Sequence, residues 1–198
     1  MDLKLIFLFI GTLLCSLSFA STPVSSTLLF NAGLHTEFYK AIQEDDSGTL
    51  RTFDTAPTIG LGLVHPLFED FNFLPEINWV LPRKSGKRIT KNTFMLRADF
   101  GYTPYDLLNL RVGSSLLWLN QQGTGGSSEI NNGNGTSTFY YPDENRSSLN
   151  ATLDLGIELV FKPMALRLQT YTYAPLNEER RQISYTLFLS YYWDKGSL

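Results

Sequence analysis

One cysteine and two histidines are all that 198 residues hold of the side chains that most often bind metals or carry covalent catalysis. The cysteine, Cys15, lies in an N-terminal stretch that reads as an export signal. There Lys4 supplies a positive charge, residues 5–14 are apolar, and Ser18-Phe19-Ala20 is a small-x-small cleavage site. Cleavage after Ala20 leaves a mature chain, 21–198, with no cysteine and therefore no disulfide. Leu14 precedes Cys15 where a lipoprotein signal wants a small residue, which argues against a lipid anchor. His35 and His65 are too far apart for metal-ligand spacing, and neither has a serine in a nucleophile context. An enzyme, a metal site and a bound cofactor are therefore not expected.

Long apolar runs are also missing, so no spanning helix is expected. The formal net charge of −3 gives no electrostatic footprint for nucleic acid. Mean hydropathy near zero looks soluble, but alternating apolar and polar residues cancel in any such average.

That alternation is what the chain has in quantity. In 149–161, Leu149, Ala151, Leu153, Leu155, Ile157, Leu159 and Phe161 take the odd positions and mostly polar residues the even ones. Period two over thirteen residues makes a strand with one apolar face. At about 3.3 Å per residue and a tilt near 40°, it rises roughly 33 Å, enough to cross the apolar layer of a bilayer. The same pattern predicts strands over 27–39, 57–65, 71–81, 93–102, 107–119, 165–174 and 181–193. Pro75 cannot donate a ladder hydrogen bond, so a bulge or local gap is expected there. The connections alternate long and short, and each short turn carries one proline: Pro66, Pro104 and Pro163. Residues 120–148, rich in Gly, Ser and Asn, read as the longest and most flexible loop. Phe139, Tyr140 and Tyr141 near its end suit either a partner contact or, as the favoured reading, the start of the strand that follows. Eight antiparallel strands joined in this way predict an all-β, up-and-down barrel.

Periodicity does not say which face points outward, since a soluble ligand-binding barrel would bury the apolar one. Gly33, Gly60, Gly62, Gly101, Gly113 and Gly156 all lie on the polar face. In a narrow barrel interior glycine makes room for large neighbours, whereas a soluble exterior favours Thr, Lys or Glu. Aromatics gather at strand ends: Phe71, Phe100, Tyr102, Phe161, Tyr191 and Trp193 toward the short turns, and Phe38, Trp79, Phe94 and Trp118 toward the long loops. Such bands mark membrane interfaces. The apolar face is therefore expected outward, in a transmembrane β-barrel.

With these features the chain resembles the small eight-stranded outer-membrane barrels of Gram-negative bacteria, the group around outer membrane proteins A and X. The resemblance covers 27–193 and rests on pattern. It implies an integral protein of the outer membrane, with lipid and lipopolysaccharide as partners, periplasmic short turns and extracellular long loops. It also implies a barrel-assembly machinery that reads a terminal aromatic signal, here Tyr191 and Trp193, although Asp194–Leu198 follow it. A monomer is expected.

Two sets of residues stand out as candidate sites. On the polar face, register brings Glu76 beside Arg97, Asp99 near Arg111, and both Arg111 and Arg167 near Glu158. A buried charge without a partner costs several kcal/mol, so these are expected to pair and fill the lumen. The alternative is a gated pore in which the pairs exchange. The second set is the loop 82–92, where Arg83, Lys84, Lys87, Arg88 and Lys91 are unopposed by any acid. Such a loop suits lipopolysaccharide phosphates, and it equally suits simple solvation.

Overall fold

The structure, a computed structural model, describes residues 26–44, 50–84, 88–131, 135–141, 143–178 and 181–193. The expected signal, Lys87 and the tail 194–198 lie outside the described residues, as do the side chains of 38–44 and 50–53, Phe38 among them.

Among the described residues ten strands form: β1 (Thr27–Glu44), β2 (Leu50–Phe68), β3 (Phe71–Lys84), β4 (Ile89–Tyr105), β5 (Leu108–Gly123), β6 (Ser127–Asn131), β7 (Thr136–Tyr140), β8 (Asn145–Phe161), β9 (Met164–Tyr173) and β10 (Gln182–Trp193). Eight close into an antiparallel barrel in the order β1-β10-β9-β8-β5-β4-β3-β2, and β6 and β7 form a separate hairpin. The barrel is thus the expected up-and-down one. Its strands reach further at the long-loop end than alternating hydrophobicity indicated, because pairing continues past the last outward apolar residue. In β4, β5 and β8 the outward positions change from Phe94, Trp118 and Leu149 to Asn92, Asn120 and Ser147 without leaving the ladder. The region expected as one flexible loop at 120–148 instead contains the β6–β7 hairpin. Phe139 and Tyr140 belong to that hairpin, not to the start of β8, while Tyr141 is buried just beyond it.

At the other rim each tight turn extends the ladder of the next strand. The Thr103 amide donates to Asp70, Val160 to Leu107 and Tyr192 to Pro163, at 2.9, 2.9 and 2.8 Å. The expected irregularity at Pro75 is a gap on one side only. Pairs between β2 and β3 stop at Gly62↔Glu76 and resume at His65↔Phe73, whereas Pro75 pairs in register with Ala98 of β4.

The faces are those expected. Leu61, Ile77, Leu155 and Leu168 point outward, each half exposed or more. Their neighbours Glu76, Asp154 and Arg167 point inward and are buried. A continuous apolar wall around a polar interior is the surface of a barrel that spans a membrane. Outward aromatics band both edges of that wall. Trp79 stacks on Phe94 with ring centroids 5.6 Å apart, and Phe68, Phe71 and Tyr102 stack in series at 4.9 and 4.8 Å.

Candidate functional site: the charged lumen

Glu76 is the hub of the interior. It projects from β3, paired directly with Arg97 of β4, and has no solvent-exposed side-chain surface. Arg97 Nη1 donates to Glu76 Oε2 at 2.9 Å, and Arg111 Nη1 from β5 donates to Oε1 at 2.6 Å. Arg167 of β9 reaches across the barrel with both terminal nitrogens, Nη1 bonding Oε1 and Nη2 donating to Oε2 at 2.9 Å. Asn31 and Asn78 add amide hydrogens at 3.0 and 3.4 Å. One carboxylate therefore ties together four strands besides its own and neutralises part of three guanidinium charges.

The remaining charge is taken by three more acids. Arg97 Nη2 bonds Asp99, two residues along the same face of β4. Arg111 donates to Glu158 Oε2 from Nη2 at 2.7 Å and from Nε at 3.0 Å, and Asn109 donates to the same oxygen at 2.9 Å. Asp154 stands 3.8 Å from Arg97 Nε and accepts from Ser115 and Thr152, both at 2.6 Å. Three arginines thus face four carboxylates, and the guanidinium fork suits such shared, multi-acceptor contacts.

All six expected lumen residues meet in this network with the expected proximities, but two of them bond elsewhere. Asp99 pairs with Arg97, not with Arg111, because it lies opposite Gly113, one inward position away from Arg111. Arg167 lies level with Glu158 on the ladder, yet its long side chain crosses to Glu76. The arrangement is a hub, not a belt of alternating neighbours. Asp154 was legible as an inward residue, four positions before Glu158 on the same face. It lies level with Asp99 across Gly113 of β5, one inward position from Arg97.

An apolar layer lies above the hub toward the long-loop rim. Ala56, Val80, Met95 and Leu117 point inward and pack with Tyr171. These sit on the polar face, where alternation suggested polar fill. Below Tyr171 two cations lie over rings: Arg97 is 5.5 Å from the Tyr171 centroid, and Arg167 is 4.4 Å from that of Phe188. Such contacts favour a cation removed from water.

Above the apolar layer lies a second ion-pair cluster. Arg83 Nη2 lies 2.6 Å from Glu37, and Arg83 Nε donates to Asp54 at 2.7 Å. Lys91 is buried on the same side. Two of the five cations expected on the loop 82–92 are therefore not surface groups. β3 and β4 continue through Arg83 and Lys91; alternation turns Lys91 inward, and a bulge between Val80 and Arg83 turns Arg83 to the same face. Lys84 is exposed, and Arg88 Nη1 donates to the Gly125 carbonyl at 2.9 Å while its guanidinium lies 5.9 Å from the Tyr141 ring centre. Along β4 the order Lys91, Met95, Arg97 shows the three layers in sequence: ion pairs, apolar side chains, ion pairs.

The two histidines lie apart. His35 is buried, with Nδ1 at 2.7 Å from the Thr186 hydroxyl and Nε2 at 3.7 Å from Glu37. His65 Nδ1 is 3.0 Å from the Ser26 hydroxyl near the short-turn rim.

No family model matches the sequence, and no curated protein matches it. Solved structures do match. The outer membrane protein OprG from Pseudomonas aeruginosa gives a TM-score of 0.50 at 11% identity, over 85% of this chain and 96% of that one. Ail, the attachment invasion locus protein of Yersinia pestis, gives 0.49 at 9% identity, over 84% and 96%. Neisserial surface protein A gives 0.47 at 8% identity, over 85% and 98%. At these identities the likeness is one of fold, and the fold of this chain is that of the small eight-stranded outer-membrane β-barrels.

Proposed function

We propose that this chain is an outer-membrane barrel whose lumen is closed by its own side chains, and that it acts through the membrane wall and its long-loop rim. In this reading the long connections face the cell exterior and the short turns the periplasm. The observation that carries it is the apolar layer of Val80, Met95 and Leu117 lying between two ion-paired layers. A hydrated ion moving along the axis would have to displace both clusters and shed water between them. A barrel of eight strands is just wide enough for side chains to fill, which favours the same conclusion.

The outward wall, ending in aromatic bands, suits lipid, and Lys84 and Arg88 remain as cations beside lipopolysaccharide phosphates. Tyr191 and Trp193 close the last strand and are the groups we assign to recognition during assembly. We propose a monomer with no catalytic role and no cofactor. His35 is engaged with Thr186 on the lumen face, and His65 is paired with Ser26 but with no acid in the described contacts.

A small gated pore is the second reading. It is favoured by one observation: Arg111 contacts Glu76 and Glu158 at once, so a pair could exchange without leaving a guanidinium bare. Liposome swelling separates the two readings. Purified protein in multilamellar vesicles is expected to admit arabinose no faster than vesicles alone, and rapid swelling would favour the pore.

A further inference from the structure

Above the aromatic band at the long-loop edge, β4, β5 and β8 carry two more outward rows. Asn92, Asn120 and Ser147 pair in register one outward position above Phe94, Trp118 and Leu149. Thr90, Gln122 and Asn145 pair one outward position further on. These six side chains share the outward face, and the backbone of Lys91, Gln121 and Arg146 runs between the rows. Alternation puts those three side chains on the opposite face, so they take no part here. The two rows and the backbone between them line a cavity of about 390 Å³, within the range of roughly 300–1,000 Å³ usual for small-ligand sites.

Three features point to one ligand chemistry. None of the six outward side chains makes a hydrogen bond to another described residue, and Asn92 Oδ1 is buried without a partner. Their four carboxamides and two hydroxyls both donate and accept, which matches the hydroxyls of a sugar ring. No charge sits among the six, so a zwitterionic phospholipid headgroup would find no counter-charge on them. Directly below, Phe94 and Trp118 are exposed on the apolar wall. A ligand in the cavity therefore rests its lower end on the lipid-facing surface, at the level where tryptophans meet headgroups. That continuity selects a saccharide carried on acyl chains over a soluble one.

We infer that this outward face binds the sugar headgroup of a glycolipid in the same leaflet. The amides of Asn92, Asn120 and Gln122 take the ring hydroxyls, and the acyl chains run down past Phe94, Trp118 and Leu149. The site deepens the proposed function and rests on its lipid-facing wall. Lys84 of β3 pairs with Thr90 and so continues the upper row at its edge, exposed and without a carboxylate partner among the described residues. It takes a phosphate where the sugar carries one. Two sources share this chemistry: a neutral glycosyl diacylglycerol, and the phosphorylated glycolipid of lipopolysaccharide.

Tryptophan quenching by brominated lipids in vesicles tests it, because Trp118 lies directly beneath the cavity. The chain has three tryptophans, so Trp79→Phe with Trp193→Phe leaves Trp118 as the reporter. The probes are digalactosyl diacylglycerol and phosphatidylcholine, each with brominated acyl chains, in vesicles of unbrominated phosphatidylcholine. The glycolipid is expected to quench as if bound about fivefold more tightly, the worth of one net hydrogen bond. Asn120→Ala with Gln122→Ala is expected to bring the two lipids level. Trp193, left alone at the opposite rim by Trp79→Phe with Trp118→Phe, is expected to show no preference. Relief of the quenching by unbrominated lipid A, weakened in Lys84→Ala, assigns the phosphorylated source. Relief by unbrominated digalactosyl lipid alone assigns the neutral one. The heat-dependent electrophoretic shift of each variant reports that the barrel has formed. Equal quenching of Trp118 by both lipids, the same preference at Trp193, or a preference unchanged in the folded amide variant overturns the inference and leaves the wall standing. No quenching of Trp118 by either lipid overturns the wall and the site together.

Discussion

Gly62 lies directly opposite Glu76 on the β2–β3 ladder, and a β-carbon at Gly62 would stand 2.6 Å from Glu76 Cγ. The hub carboxylate is therefore seated on a glycine. Asp99 sits on Gly113 and Gln169 on Gly156 in the same way, with added β-carbons 2.4 and 2.3 Å from their side-chain oxygens. In a barrel this narrow, these three side chains use the space a glycine leaves on one neighbouring strand. Gly62→Val is expected to displace Glu76 and destabilise the barrel by about 1–3 kcal/mol, the usual cost of overpacking. Urea unfolding in lipid vesicles measures this, and a neutral result would mean that Glu76 is not held in that seat.

Glu76 and Glu158 should not be equivalent. Glu76→Gln takes a full charge from Arg97, Arg111 and Arg167 together, whereas after Glu158→Gln Arg111 still keeps Glu76. The first is expected to cost about 3–5 kcal/mol, as for a broken buried ion pair, and the second clearly less. The midpoint temperature of the electrophoretic shift ranks the two variants. Equal midpoints would argue for a distributed network without a hub.

How much of this could be read from the sequence depends on distance along the ladder. Relations between adjacent strands were legible. Period two assigned faces, the polar-face glycines pointed the apolar face outward, and Glu76 fell beside Arg97 as register required. Relations across the barrel axis were not. Arg167 reaching Glu76 follows from closure and curvature, which no pairwise register contains, whereas Asp154 lies level with Asp99 through Gly113 and needed two ladders combined. Strand ends were the other blind spot. Hydrophobic alternation stops where the membrane stops, but backbone pairing continues, so Arg83 and Lys91 read as loop cations and are inward residues of β3 and β4. The β6–β7 hairpin was hidden because its glycine- and serine-rich sequence has no apolar face to bury.

The lipid-facing wall makes a depth-dependent prediction. Leu155 lies near the middle of the outward face of β8, and Phe161 at its short-turn end. Leu155→Arg is expected to cost about 2–4 kcal/mol and Phe161→Arg about 0–1 kcal/mol plus its lost ring contacts. Unfolding titrations in vesicles distinguish them. Equal, small costs would fit water outside the barrel.

The hairpin is tied to the rim through Arg88. Its Nη1 donates to the Gly125 carbonyl, and a β-carbon on Gly126, where φ is +98°, would stand 1.4 Å from the same nitrogen. Arg88→Ala and Gly126→Ala are both expected to release the hairpin, with faster protease cleavage within 124–144 and an unchanged electrophoretic shift. Resistance equal to the parent protein would show that β6 and β7 hold their place without this contact.

The closed lumen is tested most directly by ion conductance, because ions pass openings that exclude sugars. Purified protein reconstituted into planar bilayers, verified as folded by its heat-dependent shift, is expected to show no stable open level above the bare membrane. Long-lived, uniform channel openings under the same conditions would contradict it, since the Glu76 hub, the Met95 layer and the Arg83 cluster could not then be closed together.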